Sequence, residues 1–324
     1  MLDGIGRNID YLRISVTDRC NLRCVYCMPE KGVDSLGHGE ILTFKEILSI
    51  AKAVSQLGIR KVKITGGEPL VRKGIVNLIR RIKDIDGIEE VTMTTNGVLL
   101  GAMAGELADA GLDAVNVSLD SMNSESFCRI TRRDCLGEVL DGIRKACSLG
   151  IRTKINCVPI AELNGGDLAG IIGIAREYPI DVRFIELMPI GFGKNYSPVS
   201  NEELLERMER EFGKPEPSRS KHGNGPAVYY NLPGFKGSVG FISAISNEFC
   251  GSCNRIRLTA DGNLKLCLHY NEGVALKPLL RGGISKEGLK NVIENAIYNK
   301  PLHHVFKGGS AENVEMKNMV QIGG

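Results

Sequence analysis

Alternating strand and helix patterns over the first 190 residues constrain the fold of this 324-residue chain more than any other feature. The same order recurs: an amphipathic helix, a glycine, and then a short apolar strand. Gly58, Gly111 and Gly150 stand at the three clearest helix ends, where glycine often adopts the left-handed conformation that stops a helix. Strands are predicted over residues 12–16, 61–65, 91–95, 114–119, 152–158 and 182–187.

This alternation predicts an α/β fold with a parallel sheet and right-handed crossovers. We count about six strand–helix units, fewer than the eight of a closed barrel. We therefore expect a partial (β/α)6 TIM-like barrel, although periodicity alone does not separate it from an open doubly wound sheet. Thr43 and Glu46 form a capping box that should begin the first helix.

The regular alternation of strand and helix patterns ends after Gly193, and we predict a domain boundary near residue 195. Residues 1–195 should form the barrel core. Residues 196–324 should form a C-terminal domain that closes the barrel mouth. The elements predicted there are a helix capped by Ser200 that reaches about residue 212, a loop over 213–226, a helix over 285–299, and a tail over 308–324 without periodicity.

Composition and charge exclude several classes of protein. No apolar run reaches the roughly 18–20 residues that a membrane span needs, and residues 1–10 lack the apolar segment of a secretory signal. We therefore expect a cytoplasmic protein with no membrane partner. The net charge is +3 and the sequence pI is about 8.3, which is mild beside the dense basic patches of nucleic-acid binders. No nucleic-acid partner is expected.

The ten cysteines carry the strongest chemical signal. Disulfides are disfavoured in a reducing cytosol, so cysteines clustered at short spacings indicate metal or catalytic sites. Two tight triplets are present. The remaining, scattered cysteines are interpreted as packing residues: Cys128, Cys135, Cys147 and Cys157.

The first triplet, Cys20, Cys24 and Cys27, has the spacing C-x3-C-x2-C and follows the first predicted strand. Full cysteine ligation of a [4Fe–4S] cluster needs four thiolates. Three thiolates would leave one iron open to a small molecule. The alternative is a structural zinc site completed by a distant histidine, but zinc sites usually use C-x2-C pairs.

The second triplet, Cys250, Cys253 and Cys267, has the spacing C-x2-C-x13-C. Zinc is a serious alternative here, because C-x2-C is a common zinc half-site and His269 could supply a fourth ligand. Iron–sulfur ligation remains the other possibility. Two arginines, Arg255 and Arg257, lie two residues apart and should share one face of a strand. Beside an open iron they would suit an anionic ligand.

The first triplet resembles the signature of the radical S-adenosylmethionine (SAM) superfamily, with Tyr26 at its aromatic position. Gly66-Gly67-Glu68-Pro69, directly after the strand over 61–65, resembles a second hallmark of that superfamily. There this edge binds the methionyl amino group of SAM, and Glu68 could neutralise an ammonium. The resemblance implies reductive cleavage of SAM to a 5′-deoxyadenosyl radical, with the cofactor carrying the hard chemistry.

Longer segments resemble one family within it, the GTP 3′,8-cyclases (the molybdenum cofactor biosynthesis A proteins). They span 11–29, 63–72, 94–97, 118–121, 183–189, 250–257 and the terminal Ile322-Gly-Gly324. The family reaction converts GTP to (8S)-3′,8-cyclo-7,8-dihydroguanosine 5′-triphosphate. The resemblance implies two [4Fe–4S] clusters: the N-terminal cluster binds SAM, and the C-terminal cluster binds the guanine base. The tail is expected to reach the active site.

Individual roles follow from the resemblance. Expected SAM contacts are Tyr26, Gly67, Glu68, Ser118 and Met188. Expected GTP contacts are Arg13, Lys63, Thr94, Lys154, Arg183, Arg255, Ile256 and Arg257, with Arg255 and Arg257 as catalytic candidates. Basic residues suit a triphosphate, because arginine and lysine form charge-assisted hydrogen bonds to phosphate. Pro189 and Lys63 depart from the commonest family pattern, and lysine cannot form the two-pronged contact of arginine.

Two other functions remain open from the sequence. One is a different radical SAM enzyme that acts on a peptide and carries an auxiliary cluster. The other is a zinc-stapled nucleotide-binding or RNA-binding module without enzymatic activity. For the cyclase, the family implies a separate reductant and a downstream cyclic pyranopterin monophosphate synthase as partners. The oligomeric state is expected to be monomer or homodimer.

Overall fold

The computed structural model describes residues 1–220, 222–304 and 314–323. Its strands are β1 (Tyr11–Ser15), β2 (Lys61–Thr65), β3 (Glu90–Thr95), β4 (Ala114–Ser118), β5 (Arg152–Cys157), β6 (Asp181–Ile185), β7 (Glu216–Pro217), β8 (Val228–Asn231), β9 (Val239–Ile242), β10 (Arg255–Leu258), β11 (Asn263–Lys265) and β12 (Gly273–Ala275). Its helices are α1 (Phe44–Gln56), α2 (Ile75–Lys83), α3 (Leu100–Asp109), α4 (Ser124–Thr131), α5 (Leu136–Ser148), α6 (Leu168–Glu177), α7 (Asn201–Phe212), α8 (Leu276–Arg281), α9 (Lys286–Tyr298) and α10 (Met319–Ile322).

Strands β1 to β6 lie side by side in chain order, each parallel to the next. At least one helix follows every one of them, which confirms the six strand–helix units expected of a partial barrel. Within the described residues the sheet does not close on itself, because β1 and β6 pair with other strands.

The C-terminal part of the chain supplies those other strands. β10 pairs in parallel with β1, and β9 pairs in parallel with β6. Antiparallel strands β11 and β12 continue one edge, and β8 and β7 continue the other, to give a 12-stranded sheet. The C-terminal part therefore extends the sheet at both edges, where β1 and β6 would otherwise expose unpaired backbone groups. A domain boundary near residue 195 stays a prediction.

Helix α1 shows how local sequence sets the element ends. The Glu46 amide donates to Thr43 Oγ1 at 3.2 Å and the Thr43 amide donates to Glu46 Oε2 at 2.6 Å, so the predicted capping box is present. Gly58, just past the helix, has a φ of +85°, which glycine adopts without steric cost. Ile47 and Ile50 on the inner face are fully buried.

Along each parallel strand, successive side chains point alternately into the hydrophobic core and into the inside of the barrel. In β1, Leu12 and Ile14 are fully buried in the hydrophobic core, and in β2 Val62 and Ile64 are as well. The residues between them point to the opposite face, inside the barrel. Among the described residues, no helix combines the length and apolarity that crossing a membrane requires.

Candidate active site

The inner face of the sheet surrounds a cavity of about 420 Å³. All the cysteines of both triplets line it: Cys20, Cys24, Cys27, Cys250, Cys253 and Cys267. So do most other predicted site residues: Arg13, Tyr26, Lys63, Gly67, Thr94, Ser118, Lys154, Arg183, Met188, Arg255 and Arg257. The fold thus brings together in one chamber residues that the sequence spreads from Arg13 to Cys267.

The first triplet lies on the loop after β1. Burial raises the pKa of the Cys20 thiol, raises that of Cys24 well above its ordinary value, and raises that of Cys27 to about 12. For Cys27 the nearby Val320 backbone amide partly opposes this rise in pKa. Buried thiols ionise readily only beside a compensating cation. A set of three buried thiols therefore fits a [4Fe–4S] cluster.

The glycines after β2 pack against the strand-to-triplet loop. The Gly67 amide donates to the Thr17 carbonyl at 2.6 Å. A Cβ on Gly66 would lie 2.8 Å from the same carbonyl oxygen, and a Cβ on Gly67 would overlap the backbone of Arg19. Glycine is needed here because two backbone segments touch, which holds the cysteine loop against the end of β2.

Glu68 does not line the cavity. Its carboxylate is 1% exposed and accepts hydrogen bonds from the Leu70 amide at 3.0 Å, the Thr95 hydroxyl at 2.7 Å and the Asn96 amide at 2.7 Å. Burial raises its pKa to about 7, against these three donors. In this arrangement Glu68 ties its loop to the end of β3. A SAM contact by Glu68 stays a prediction.

The second triplet faces the same cavity from the region of β10 and β11. Burial raises the pKa of Cys250. Burial acts in the same direction on Cys253, but Lys300 and Arg255 outweigh it and lower the pKa of that thiol to about 7. Cationic surroundings favour thiolates, so this site also fits a cysteine-ligated cluster.

Two histidines lie beside this triplet. His269, which sequence reasoning considered as a zinc ligand, is 3% exposed and lines the cavity. His304, which it did not consider, forms with Glu248 and Cys250 a group whose ligand atoms all lie within 4.8 Å of one another. His304 Nε2 is 2.9 Å from the Ala244 carbonyl oxygen, so that nitrogen is the donor, and Nδ1 lies 3.8 Å from Glu248 Oε1.

A belt of cations crosses the cavity wall. Arg13 on β1 is in register with Arg257 on β10 and with Lys63 on β2. Burial lowers the pKa of Lys63 well below its ordinary value, and the charges of Arg183 and Arg13 lower it further. Buried cations that repel one another are tolerated where an anion binds among them. We refer to Arg13, Lys63, Lys154, Arg183, Arg255 and Arg257 as the cation belt.

Lys154 is a member of the belt that pairs directly with an acid. Its ammonium lies 2.9 Å from Asp181 Oδ2, and His222 Nδ1 lies 3.0 Å from the same oxygen. Lys154 also donates to the His222 carbonyl. Burial lowers the pKa of Lys154, and Asp181 partly restores it. The His222 ring stacks on Tyr229 with 4.1 Å between ring centroids.

Ile256 is the second predicted site residue outside the cavity lining. It is fully buried in the hydrophobic core, while its neighbours Arg255 and Arg257 face the cavity. This alternation agrees with the strand spacing expected for the two arginines. A GTP contact by Ile256 stays a prediction. Gly324 of the expected tail lies outside the described residues, but the Gly323 carbonyl accepts a bond from Arg257 Nη1 at 3.4 Å.

Sequence reasoning missed several residues of the chamber. Phe249 lines it, with the Arg255 guanidinium 4.8 Å from its ring centroid. Lys300 and the stretch His222 to Pro226 line it as well. An aromatic next to a cysteine motif was a usable signal for Phe249. Nothing local distinguished the loop residues, because the bonds that hold them reach distant strands, as from Asn224 Nδ2 to Glu90 Oε2 at 2.8 Å.

Sequence comparisons identify relatives over the whole chain. The radical SAM superfamily model matches residues 14–173, and the Molybdenum Cofactor Synthesis C model matches residues 180–306. The chain is 46% identical over 324 residues to GTP 3′,8-cyclase of Clostridium perfringens (strain 13 / Type A), covering 100% of both chains. It is 47% identical over 329 residues to GTP 3′,8-cyclase of Syntrophomonas wolfei, again covering 100% of both.

Among solved structures, the crystal structure of Streptococcus suis SuiB has a similar fold. The TM-score is 0.60 at 16% identity, covering 92% of this chain and 67% of that one. SuiB bound to S-adenosylmethionine gives a TM-score of 0.61 at 15% identity, with the same coverage. Identity this low supports the fold alone. The full-length sequence matches decide the family: this chain belongs to the GTP 3′,8-cyclases of the radical SAM superfamily.

Proposed function

We propose that this chain converts GTP to (8S)-3′,8-cyclo-7,8-dihydroguanosine 5′-triphosphate, the first step of molybdenum cofactor biosynthesis. The observation that carries the proposal is one cavity lined by two cysteine triplets and a cation belt. Thiol sets suit iron–sulfur clusters, and clustered buried cations suit a triphosphate. The lining of one chamber therefore offers groups suited to SAM and groups suited to GTP.

Residues of this chain would divide the binding work. Cys20, Cys24 and Cys27 would hold the cluster that binds SAM, and Cys250, Cys253 and Cys267 would hold the other. When bound, the first cluster and SAM supply a 5′-deoxyadenosyl radical that abstracts hydrogen from the ribose. The protein orients the reactants and keeps water away. SAM contacts by Tyr26, Gly67, Ser118 and Met188 are proposed because these residues line the cavity.

The cation belt would bind GTP. Arg13, Lys63 and Arg257 lie on three adjacent strands in register, so their charges face the cavity as one row. Arg183 on β6 and Lys154 on β5 face the same cavity from other strands of the sheet. A triphosphate carries about four negative charges, and its arrival would relieve the repulsion within the belt. We propose Thr94, which also lines the cavity, as a further polar contact.

Arg255 and Arg257 would lie closest to the guanine end, because they flank the second triplet in sequence and face the cavity beside it. Arg255 is the better supported of the two. Its guanidinium stacks on Phe249 and it lowers the pKa of Cys253. Both arginines are proposed as catalytic residues that hold the substrate during hydrogen abstraction and ring closure.

The test is an anaerobic incubation of reduced, reconstituted protein with SAM and GTP. We expect about eight irons per chain, 5′-deoxyadenosine, and the cyclised nucleotide by mass spectrometry. Cys147→Ser on α5, outside the cavity lining, is the matched control for Cys24→Ser and should retain activity. SAM cleavage without the cyclised product would refute the substrate assignment. Zinc in place of iron would refute the reaction.

The partners form the remaining part of the proposal. Radical SAM chemistry needs one electron for each cleavage, so a separate reductant must dock near the first triplet. The cyclised nucleotide would pass to a cyclic pyranopterin monophosphate synthase. We place the reaction in the cytoplasm, with the chain acting as a monomer or homodimer. Anaerobic pull-down with the synthase and size-exclusion chromatography would test these points.

A further inference from the structure

A buried ion pair near the C-terminus has no part in the chemistry described above. The Lys265 ammonium contacts the Glu315 carboxylate, and each side chain is only 2% exposed. Removing one partner of such a pair leaves an uncompensated charge in the interior. The pair therefore strongly favours the one arrangement in which both of its segments stay together.

The pair joins β11 to the C-terminal segment, residues 314–323. Lys265 ends β11 and lies opposite Arg257 in the antiparallel register of β10 and β11. The Glu315 amide donates to the His269 carbonyl at 2.8 Å, and Glu315 Oε1 accepts from the Lys317 amide at 2.8 Å. The side chain and backbone of Glu315 thus both fix the start of the segment.

From this anchor the segment runs into the cavity. Met319 and Val320 line the chamber. Val320 lines it together with Cys27 of the first triplet, and the Gly323 carbonyl accepts from Arg257 at 3.4 Å. A Cβ on Gly323 would lie 2.9 Å from the Ser15 Cβ, so its backbone is seated tightly against β1. The segment therefore touches the surroundings of both triplets.

We propose that the Lys265–Glu315 ion pair is a positioning element that holds the C-terminal segment across the cavity, so that Val320 stays beside Cys27 and the Gly323 carbonyl stays on Arg257. The consequence for catalysis rests on the proposed function. The placement of the C-terminal segment does not depend on the proposed function. Hydrogen bonds to cluster sulfurs raise the reduction potential. Lys265 and Glu315 would thus act on the first triplet through the segment.

The test uses the full-length, reconstituted holoprotein. Glu315→Gln should speed hydrogen exchange of the 314–323 peptide by about tenfold or more, because the segment opens locally. It should also lower the midpoint potential of the first cluster, measured by EPR-monitored redox titration. Glu315→Asp keeps the charge but shortens its reach, so it should shift both values in the same direction by less. This variant decides the matter if Glu315→Gln does not fold.

The control is Lys317→Met, which removes the more exposed Lys317–Asp261 ion pair of the same segment and should leave both readouts at wild-type values. The double variant Lys265→Met/Glu315→Met replaces the pair by apolar side chains and should restore slow exchange and the wild-type potential. Wild-type exchange and potential in Glu315→Gln would overturn the proposal, and so would a folded double variant that behaves like the single one. A chain that cleaves SAM without cyclising GTP would refute the proposed function while leaving both readouts intact.

Discussion

Arg183→Met should raise the free energy of unfolding of the nucleotide-free protein and lower its affinity for GTP. Arg183 is 9% exposed on β6, and its Nε and Nη2 atoms have no hydrogen-bond partner among the described residues. Its charge also lowers the pKa of Lys63, after the larger effect of burial. The resting protein therefore bears a buried cation whose donors point into the cavity.

The magnitudes follow from these unpaired groups. A buried polar group without a partner costs about 1–3 kcal/mol, and methionine keeps the apolar stem of the side chain. We expect the free energy of unfolding to rise by up to about that amount. Hydrogen bonds to a charged partner contribute about 1.5–3 kcal/mol. Their loss should weaken GTP binding about 10- to 150-fold.

The assay is anaerobic calorimetric titration of GTP into reconstituted protein without SAM, together with urea unfolding of the nucleotide-free protein. Arg176→Met is the matched control, because Arg176 is exposed on α6 just before β6. It should change neither value. Unchanged GTP affinity in Arg183→Met, or a clear loss of stability before nucleotide is added, would show that Arg183 is a structural residue.

Three further predictions follow from the site. Cys24→Ser should lower the iron content from about eight to about four per chain and abolish SAM cleavage. Cys267→Ser should lower the iron content by the same amount, through loss of the other cluster, yet retain some SAM cleavage. Iron analysis and 5′-deoxyadenosine assays measure both outcomes. Burial and neighbouring cations lower the pKa of Lys63, and only its protonated form binds phosphate. GTP affinity should therefore be full at low pH and fall at a pH below the usual lysine range. Lys63→Arg should move that fall to higher pH in binding titrations, and an unshifted profile would count against the assignment. Phe249→Ala should raise KM for GTP several-fold, since cation–π contacts contribute about 0.5–2 kcal/mol, while Phe249→Tyr should not.

Local signals predicted the framework of the barrel well. The strand over 61–65 and the helix capped by Ser200 were placed correctly, because capping residues and apolar alternation act over a few residues. The spacing of Arg255 and Arg257 likewise implied a shared face. Each of these predictions depended on residues close together in the chain.

What the sequence could not reveal depends on distant contacts. Residues 213–226 were predicted as a loop, but Glu216–Pro217 forms strand β7, which pairs with β8 through contacts that the local sequence does not show. Bonds from His222 to Asp181 and from Asn224 to Glu90 place these two side chains at the cavity. The partner of Lys265 was equally hidden, since Glu315 is 50 residues away. The donors to Glu68 were hidden in the same way, since Thr95 and Asn96 lie 27 and 28 residues away.

The pairing of β10 with β1 also bears on how the protein is made. The hydrogen bond from Asn254 to Asp10 beside this pair of strands spans 244 residues. The outer edge of β1 therefore stays unpaired in the nascent polypeptide until β10 has been synthesised. Contacts at such a separation form late and leave an open strand edge prone to misassociation. The two triplets can share one chamber only after β10 has been synthesised and has paired with β1.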